Sequence, residues 1–315
     1  MKHSEEDRLL GKILKGLPAS KDLVLGPGDD CAVVRTNRGL QLLKTDCIAE
    51  GVHFLREHDP ARVGWKALCR PLSDIAAMGG EPRHALITIF SPPDLDPGYW
   101  IDFYEGIRKA ARKFGVAIAG GEMSRQPQGI AVSVALTGIA PGGRFAPRSG
   151  GRPGDLLFVT GQLGGSRSGH HLDFVPRLKE GRWLAEKCRA SAMMDLSDGL
   201  GSDLPRLARA SGCGFEVDLA SLPIRAGSDI HGALTDGEDY ELLFAIPPRR
   251  AAALLKIWME TFPRVPITRI GKLNATQSAP PGWPGGWDHF SVVRTPRVGQ
   301  RSGGSASKPR GQRAR

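Results

Sequence analysis

Apolar residues recur with two different spacings along the chain. Residues 97–114 place apolar side chains three and four positions apart and end at a glycine, which predicts an amphipathic helix. Residues 130–139 form a dense apolar run that predicts a strand. The alternation returns further on, with a strand predicted over 155–160 and a helix over 248–262. Strands and helices that alternate in this way are typical of α/β proteins.

A stretch rich in glycine, proline and arginine separates the two blocks. It covers residues 141–154 and has the composition of a domain linker. We therefore predict two α/β (α+β) domains, over residues 1–140 and 150–292. Residues 293–315 are rich in glycine, serine, arginine and lysine and offer little apolar surface to bury, so we predict a basic, disordered tail.

The formal net charge of +10 is concentrated in that tail. After Ser291 the chain has seven arginines and lysines and no acidic residue, which leaves a nearly balanced body. No recognition motif accompanies the tail, so we predict no specific nucleic-acid partner. The five cysteines form no C-x-x-C pair, and no apolar run resembles a signal peptide or a membrane span. These features predict a cytoplasmic protein without a membrane partner.

The stretch over residues 192–204 combines a short apolar run with three aspartates and two glycines. It predicts a strand that delivers Asp195, a turn that presents Ser197 and Asp198, and a helix that begins near Ser202 as its N-cap. Two aspartates three positions apart across a turn can reach one magnesium site. A capped, solvated turn explains this stretch equally well, because Asp, Ser and Gly are ordinary turn residues.

Other acidic residues follow turns and strand ends or lie on a helix. Asp30 follows a Gly-Pro-Gly turn, Asp46 ends a predicted strand, and Glu122 follows two glycines. Asp74 lies on a predicted helix in which Pro71 predicts a kink or a break. Each alone is an ordinary solvated acid, but several carboxylates in one site are tolerated only with bound cations. Oxygen ligands without a histidine or cysteine cluster indicate Mg²⁺ rather than zinc.

Magnesium held by several carboxylates suggests phosphate chemistry. The sequence has neither a Gly-x-x-x-x-Gly-Lys-Ser/Thr loop nor a Gly-x-Gly-x-x-Gly motif. We therefore expect a nucleotide to be held by glycine-lined backbone, metal ions and an arginine.

Five motifs together resemble those of the thiamine-monophosphate kinases, in the aminoimidazole-ribonucleotide-synthetase-like superfamily. The resemblance covers about residues 25–290. The motifs are Gly28-Asp29-Asp30-Cys31-Ala32, Thr45-Asp46 with Glu50-Gly51-Val52-His53-Phe54, Leu72-Ser73-Asp74-Ile75-Ala76-Ala77-Met78-Gly79, Met194-Asp195-Leu196-Ser197-Asp198-Gly199-Leu200 and Gly237-Glu238-Asp239-Tyr240-Glu241-Leu242.

The resemblance implies a two-domain aminoimidazole-ribonucleotide-synthetase-like fold that forms a homodimer through its amino-terminal sheet. It implies magnesium-assisted, in-line transfer of the γ-phosphoryl group of ATP to thiamine monophosphate, which gives thiamine diphosphate. The acceptor is already a phosphate, so no general base is required, and Arg148 is expected to stabilise charge. The implied magnesium ligands are Asp30, Thr45, Asp46, Asp74, Glu122, Asp195 and Asp198. The implied ATP contacts are Gly121, Glu122, Arg148 and Ser197, and the implied substrate contacts are His53, Glu238 and Trp287.

Simpler interpretations of the substrate contacts stay open. His53 could end a strand, Glu238 could be a loop acid, and Trp287 could be a core aromatic. Glu122 and Asp236 stand where the family usually has Asp and Gly, and the segment over residues 169–176 is short. These departures leave two alternatives, a non-catalytic nucleotide-binding paralogue and another ATP-using enzyme of the same superfamily.

Overall fold

The computed structural model describes residues 4–288. Its amino-terminal half contains three helices and one six-stranded sheet in the order β1-β2-β3-β6-β4-β5. The tail predicted over residues 293–315 lies outside the described residues. The elements of this half are α1 (Glu5–Ile13), β1 (Leu23–Leu25), β2 (Ala32–Thr36), β3 (Gly39–Ala49), α2 (Pro60–Ala77), β4 (Glu81–Ser91), α3 (Pro97–Phe114), β5 (Ala117–Arg125) and β6 (Ala131–Ile139).

One face of this sheet is buried and the other is open. In β6, Val132, Val134 and Leu136 alternate with more exposed residues, because successive side chains of a strand point to opposite faces. Helices α2 and α3 pack closely together and contribute buried side chains to the same core cluster as the covered face. A Cβ atom on Gly64 would lie 1.9 Å from the Phe103 carbonyl oxygen, so glycine is required for this close approach.

Helix α2 positions much of the site. Asp59 caps it by accepting a hydrogen bond from the Ala61 amide, and Pro60 occupies its first turn. Of the kink or break predicted at Pro71, the break is wrong, because α2 continues as one helix to Ala77, and the kink stays a prediction. Pro71 is itself buried, and packing of α2 against α3, β3 and β6 compensates for the backbone hydrogen bond that proline cannot donate.

The carboxy-terminal half is built on a second sheet of five strands, in the order β8-β10-β7-β11-β9, with antiparallel neighbours throughout. A π-helical turn, Leu184–Cys188, continues α5. The elements are β7 (Leu156–Thr160), α4 (His170–Asp173), α5 (Leu178–Trp183), β8 (Ala192–Asp195), α6 (Leu200–Ala210), β9 (Gly214–Val217), α7 (Ile230–Thr235), β10 (Leu242–Ile246), α8 (Pro248–Thr261) and β11 (Ile267–Asn274).

The two halves meet along α2, which contacts β8, α4 and α5. The predicted two-part α/β (α+β) architecture is therefore confirmed, and the carboxyl end of β8 lies against the amino-terminal half. Among the described residues, no helix has both the length and the apolar character needed to cross a bilayer.

Candidate active site

Three carboxylates from distant parts of the chain converge where the halves meet. Asp30 precedes β2, Asp74 lies on α2, and Asp195 ends β8. Each offers an oxygen within 4.8 Å of the others, and all three side chains are buried. Such a set of oxygen donors fits a hard divalent cation such as Mg²⁺.

Protein groups already compensate part of this charge. Lys44 Nζ lies 2.6 Å from Asp74 Oδ1, and Arg148 donates to both oxygens of Asp30, at 3.2 and 2.5 Å. Ser73 Oγ donates to Asp195 at 2.6 Å. Burial, together with the charge of Asp30, raises the pKa of Asp195 to about 7. Burial also raises the pKa of Asp74 well above its ordinary value, although Lys44 opposes this change. A bound cation would favour the ionised form of both acids.

The turn after β8 is organised by an acid to which the sequence analysis assigned no role. Asp203 is fully buried and accepts hydrogen bonds from the backbone amides of Ser197 and Asp198, at 3.0 and 2.9 Å. Arg206 bonds to Asp203 at 2.9 Å and also to Asp198. The spacing of Asp203 and Arg206, three apart on a helix, was the available signal.

The predicted N-cap of α6 is wrong, because the N-cap is Gly199, three residues before Ser202. The helix begins at Leu200, after Gly199 with a φ of 88°. Ser202 is inside the helix and accepts a hydrogen bond from the Gly286 amide at 2.8 Å instead of capping it. The carboxylate of Asp203 binds the preceding amides, so the turn needs no hydroxyl cap at Ser202.

A cleft of about 440 Å³ opens beside the buried carboxylates. Cys47, Tyr240 and two cations, Lys44 and Arg70, also line it, and the first turn of α1 contributes Glu6. It brings together several residues that the sequence analysis named, from both halves of the protein: Asp46, His53, Asp74, Asp195, Ser197 and Asp198.

A second, smaller space of about 20 Å³ shares a wall with this cleft. The three predicted substrate contacts, His53, Glu238 and Trp287, line it together. The guanidinium group of Arg167 lies 4.6 Å from the ring centre of Trp287, within the range of a cation–π contact. The structure thus places the implied substrate contacts beside the implied metal ligands.

A buried lysine fixes the wall of this smaller space. Lys66 is inaccessible to solvent, and its Nζ lies 2.6 Å from Glu238 Oε1 and 2.6 Å from the His53 carbonyl oxygen. Burial lowers the pKa of Lys66 to about 8, although Glu238 opposes this change. Lys66 was not among the residues predicted from the sequence, although a lysine on a helix that is otherwise apolar at neighbouring positions was an available signal.

The loop that carries Glu238 holds two residues in the left-handed region. Glu238 has a φ of 56° and Tyr240 a φ of 51°, and the Tyr240 ring stacks on Phe174 with 3.8 Å between centroids. Asp236 has an ordinary φ of −66°, and its carboxylate accepts a hydrogen bond from the Gly165 amide at 2.7 Å. Its replacement of glycine therefore strains no left-handed position.

Three implied site residues lie apart from the cleft and the smaller space. Thr45 is on the open face of the sheet, with its hydroxyl 3.5 Å from that of Ser133. Gly121 and Glu122 lie on β5, an exposed edge strand. Two strands separate β5 from β3, so about 14 Å lies between them at the usual strand spacing. Arg148 contacts Asp30 but lines neither the cleft nor the smaller space.

Fold and site together define a two-domain protein of the AIR synthase related class. The family model described as "AIR synthase related protein, N-terminal domain" matches residues 28–140, and the corresponding C-terminal model matches residues 169–279. The chain is 37% identical to a thiamine-monophosphate kinase of Rhodopirellula baltica, over 80% of this chain and 84% of that protein. It is 34% identical to one of Escherichia coli strain K12, over 81% and 85%. The chain belongs to the thiamine-monophosphate kinase family.

A solved structure supports the same relationship. The structure described as "AaThiL complexed with AMPPCP and TMP" superposes with a TM-score of 0.78 at 34% identity. The match covers 92% of this chain and 99% of that one. The family and the fold that the sequence motifs implied are therefore confirmed.

Proposed function

We propose that this protein transfers the γ-phosphoryl group of ATP to thiamine monophosphate, forming thiamine diphosphate and ADP. The observation that carries the proposal is the shared wall between two spaces. One space contains buried carboxylates suited to a metal-bound polyphosphate, and the other is lined by His53, Glu238 and Trp287. Family membership, with a relative that binds AMPPCP and TMP, supplies the substrates.

Magnesium is the proposed metal. Asp30, Asp74 and Asp195 would hold it, with Asp46 and Asp198 on the adjoining wall of the cleft. When bound, Mg²⁺ would neutralise charge on the polyphosphate and thereby favour approach of a second phosphate. Thr45 and Glu122 are retained as proposed ligands, although this protomer keeps them apart from the buried carboxylates.

The reaction requires no proton transfer by the protein. An oxygen of the substrate phosphate forms a bond to the γ-phosphorus of ATP. The bond from that phosphorus to the bridging oxygen breaks, and its electron pair leaves on ADP. We propose that Ser197 and Arg148 contact ATP, together with Gly121 and Glu122 on β5. The work of the protein is then positioning and charge stabilisation.

The substrate space must enlarge to admit thiamine monophosphate. At about 20 Å³ it accommodates roughly one water molecule. Arg167 and Trp287 close it from one side and contact each other. We propose that both side chains move when substrate enters and that Trp287 then covers it.

A homodimer is proposed from the open face of the amino-terminal sheet. Several large apolar side chains are exposed there and on β5, and exposed apolar patches mark interaction surfaces. They are Leu43, Leu86, Phe90, Ile118 and Met123. Residues 1–140 would form the ATP-binding and dimerising domain, and residues 150–292 would complete the site. A cytoplasmic location is proposed as well.

A coupled assay tests the activity. The purified protein, with ATP, Mg²⁺ and thiamine monophosphate, should form ADP and thiamine diphosphate in equal amounts. Asp195→Asn should reduce turnover at least 100-fold, because it removes a carboxylate from the metal cluster. Asp102→Asn, on an exposed position of α3, is the matched control and should behave as wild type. Tight binding of both substrates without product would instead identify a non-catalytic paralogue.

A further inference from the structure

Arg70 lies on the wall that separates the cleft from the smaller space. Five described residues line both spaces, His53, Arg70, Ser197, Asp198 and Tyr240, and Arg70 supplies the permanent positive charge among them. Its Nη1 donates to the Cys47 carbonyl oxygen at 2.7 Å, and its Nη2 lies 3.3 Å from Asp46 Oδ1. The guanidinium group is thereby fixed at the boundary where donor and acceptor phosphates would meet.

At least one of the five N–H donors of this guanidinium group has no partner in the described protein. The Nε atom of Arg70 is buried and has no hydrogen-bond partner in the described protein. Buried donors are nearly always paired, so an unpaired one on the wall of a binding space is available to a ligand oxygen. Burial opposes the charge of Arg70, but Asp46 and other neighbouring acids raise its pKa above the ordinary range and keep it charged.

Arg148 is less available for the same task. Its Nε and Nη2 atoms both donate to Asp30, and its side chain lines neither space. An arginine bound bidentately to a carboxylate has already satisfied the fork that recognises phosphate. The two arginines therefore differ in what they can offer to a reacting phosphoryl group.

We propose that Arg70 is a catalytic residue that contacts the transferring phosphoryl group between the two substrates. This inference rests on the proposed function and adds a residue to it. As the bond to the bridging oxygen of ATP lengthens and the bond from the acceptor oxygen forms, charge develops on the bridging oxygen and is spread over the equatorial oxygens of the transferred group. A fixed guanidinium group at that position stabilises the transition state more than either ground state.

The test compares Arg70→Gln and Arg70→Lys with wild type and with Arg108→Gln, an exposed arginine on α3. We expect Arg70→Gln to lower kcat at least 100-fold, to change KM for ATP and thiamine monophosphate less than 5-fold, and to lower the melting temperature by only a few degrees, since Asp46 loses its partner but stays partly exposed. Arg70→Lys should recover only part of kcat, because lysine lacks the planar fork. Added guanidinium ion should restore part of the activity of Arg70→Gln and leave Arg108→Gln unchanged.

Binding of ADP with aluminium fluoride and thiamine monophosphate, measured by calorimetry, tests Arg70 without turnover. We expect binding at least 30-fold weaker in Arg70→Gln than in wild type. If the wild-type protein forms no thiamine diphosphate, the proposed function is refuted. If Arg70→Gln binds ADP, aluminium fluoride and thiamine monophosphate as tightly as wild type does, the role of Arg70 is overturned independently of the proposed function. Near-normal kcat in Arg70→Gln, or a lost kcat with a melting temperature more than about 10 °C lower and no rescue, would also overturn it.

Discussion

We expect the ion pair of Lys66 and Glu238 to favour binding of thiamine monophosphate but to lower the free energy of unfolding. Lys66 is inaccessible to solvent, and burial lowers its pKa from the ordinary 10.5 to about 8 even with Glu238 2.6 Å away. That lowering corresponds to a cost of roughly 3 kcal/mol for keeping the ammonium group charged in the folded protein. Because the pKa of Lys66 is lower in the folded than in the unfolded protein, its ionisation reduces the free energy of unfolding by the full amount below about pH 8. This reduction shrinks as the pH rises from 8 and is lost above about 10.5.

The double variant Lys66→Met with Glu238→Gln removes both charges while nearly preserving volume. Replacement of a buried ion pair by uncharged residues is neutral or stabilising by about 1–4 kcal/mol. We expect a free energy of unfolding at pH 7 that is about 1–3 kcal/mol above wild type, with the advantage shrinking towards pH 10. Lys66→Met alone should destabilise, because it leaves the Glu238 carboxylate without its partner.

Urea unfolding at pH 7 and pH 10 measures the stability, and calorimetry measures binding of thiamine monophosphate. We expect at least 10-fold weaker binding in the double variant, since Glu238 lines the smaller space and Lys66 ties it to the His53 backbone. Lys187→Met, at an exposed position, is the control and should match wild type. A double variant less stable than wild type by more than 1 kcal/mol, or one with unchanged affinity, would refute this reasoning.

Four further outcomes follow from other parts of the protein. Because the pKa of Asp195 is about 7 without metal, Mg²⁺ affinity measured by calorimetry should rise from pH 6 to pH 8 with release of protons; a flat profile would contradict this. Asp203→Ala should destabilise by about 1–3 kcal/mol in urea unfolding, because two partly buried amides lose their acceptor; an unchanged midpoint would count against it. Leu86→Glu should convert the proposed dimer to a monomer in sedimentation, because it places a charge on the open sheet face. A variant that sediments as wild type would show that this face is not the interface. Deletion of residues after Pro296 should leave kcat unchanged, and a lower kcat would make the tail part of the enzyme.

Patterns in the sequence predicted the elements well where side-chain spacing determines burial. Helix α3 ends at Gly115 as expected, since that glycine adopts a φ of 70° that other residues rarely do. The helix predicted over residues 248–262 is observed as Pro248–Thr261. Local patterns gave the wrong result where tertiary packing determines the structure. At Pro71 they predicted a possible break, but the buried helix α2 continues through the proline.

The candidate site likewise contains residues that local patterns identify and residues that only tertiary packing brings together. Acidic residues at turns and strand ends could be named individually, but the meeting of Asp30, Asp74 and Asp195 depends on long-range packing of α2 against β8. Spacing could draw attention to Asp203 beside Arg206 and to Lys66 on an apolar helix, but it could not assign roles to them or to Arg70. Lys66 and Arg70 act on groups that are distant in sequence, and Asp203 acts on backbone amides. His53, Glu238 and Trp287 were predicted as substrate contacts from the family resemblance. The spacing of apolar and polar residues alone gives no reason to single them out.

The charge balance of the site has a consequence for metal binding. Of the acids in and beside the cleft, Asp30 is paired with Arg148, Asp46 with Arg70, Asp74 with Lys44 and Asp198 with Arg206, whereas Asp195 accepts a hydrogen bond from the neutral Ser73 hydroxyl. Uncompensated carboxylates at this depth would oppose folding, and most of these are neutralised by the chain itself. Removal of divalent ions with EDTA should therefore lower the melting temperature by no more than a few degrees. Lys44→Met should make the melting temperature depend strongly on Mg²⁺, because the ion then replaces the missing ammonium charge beside Asp74. Large destabilisation of wild type by EDTA would show instead that the internal cations do not suffice.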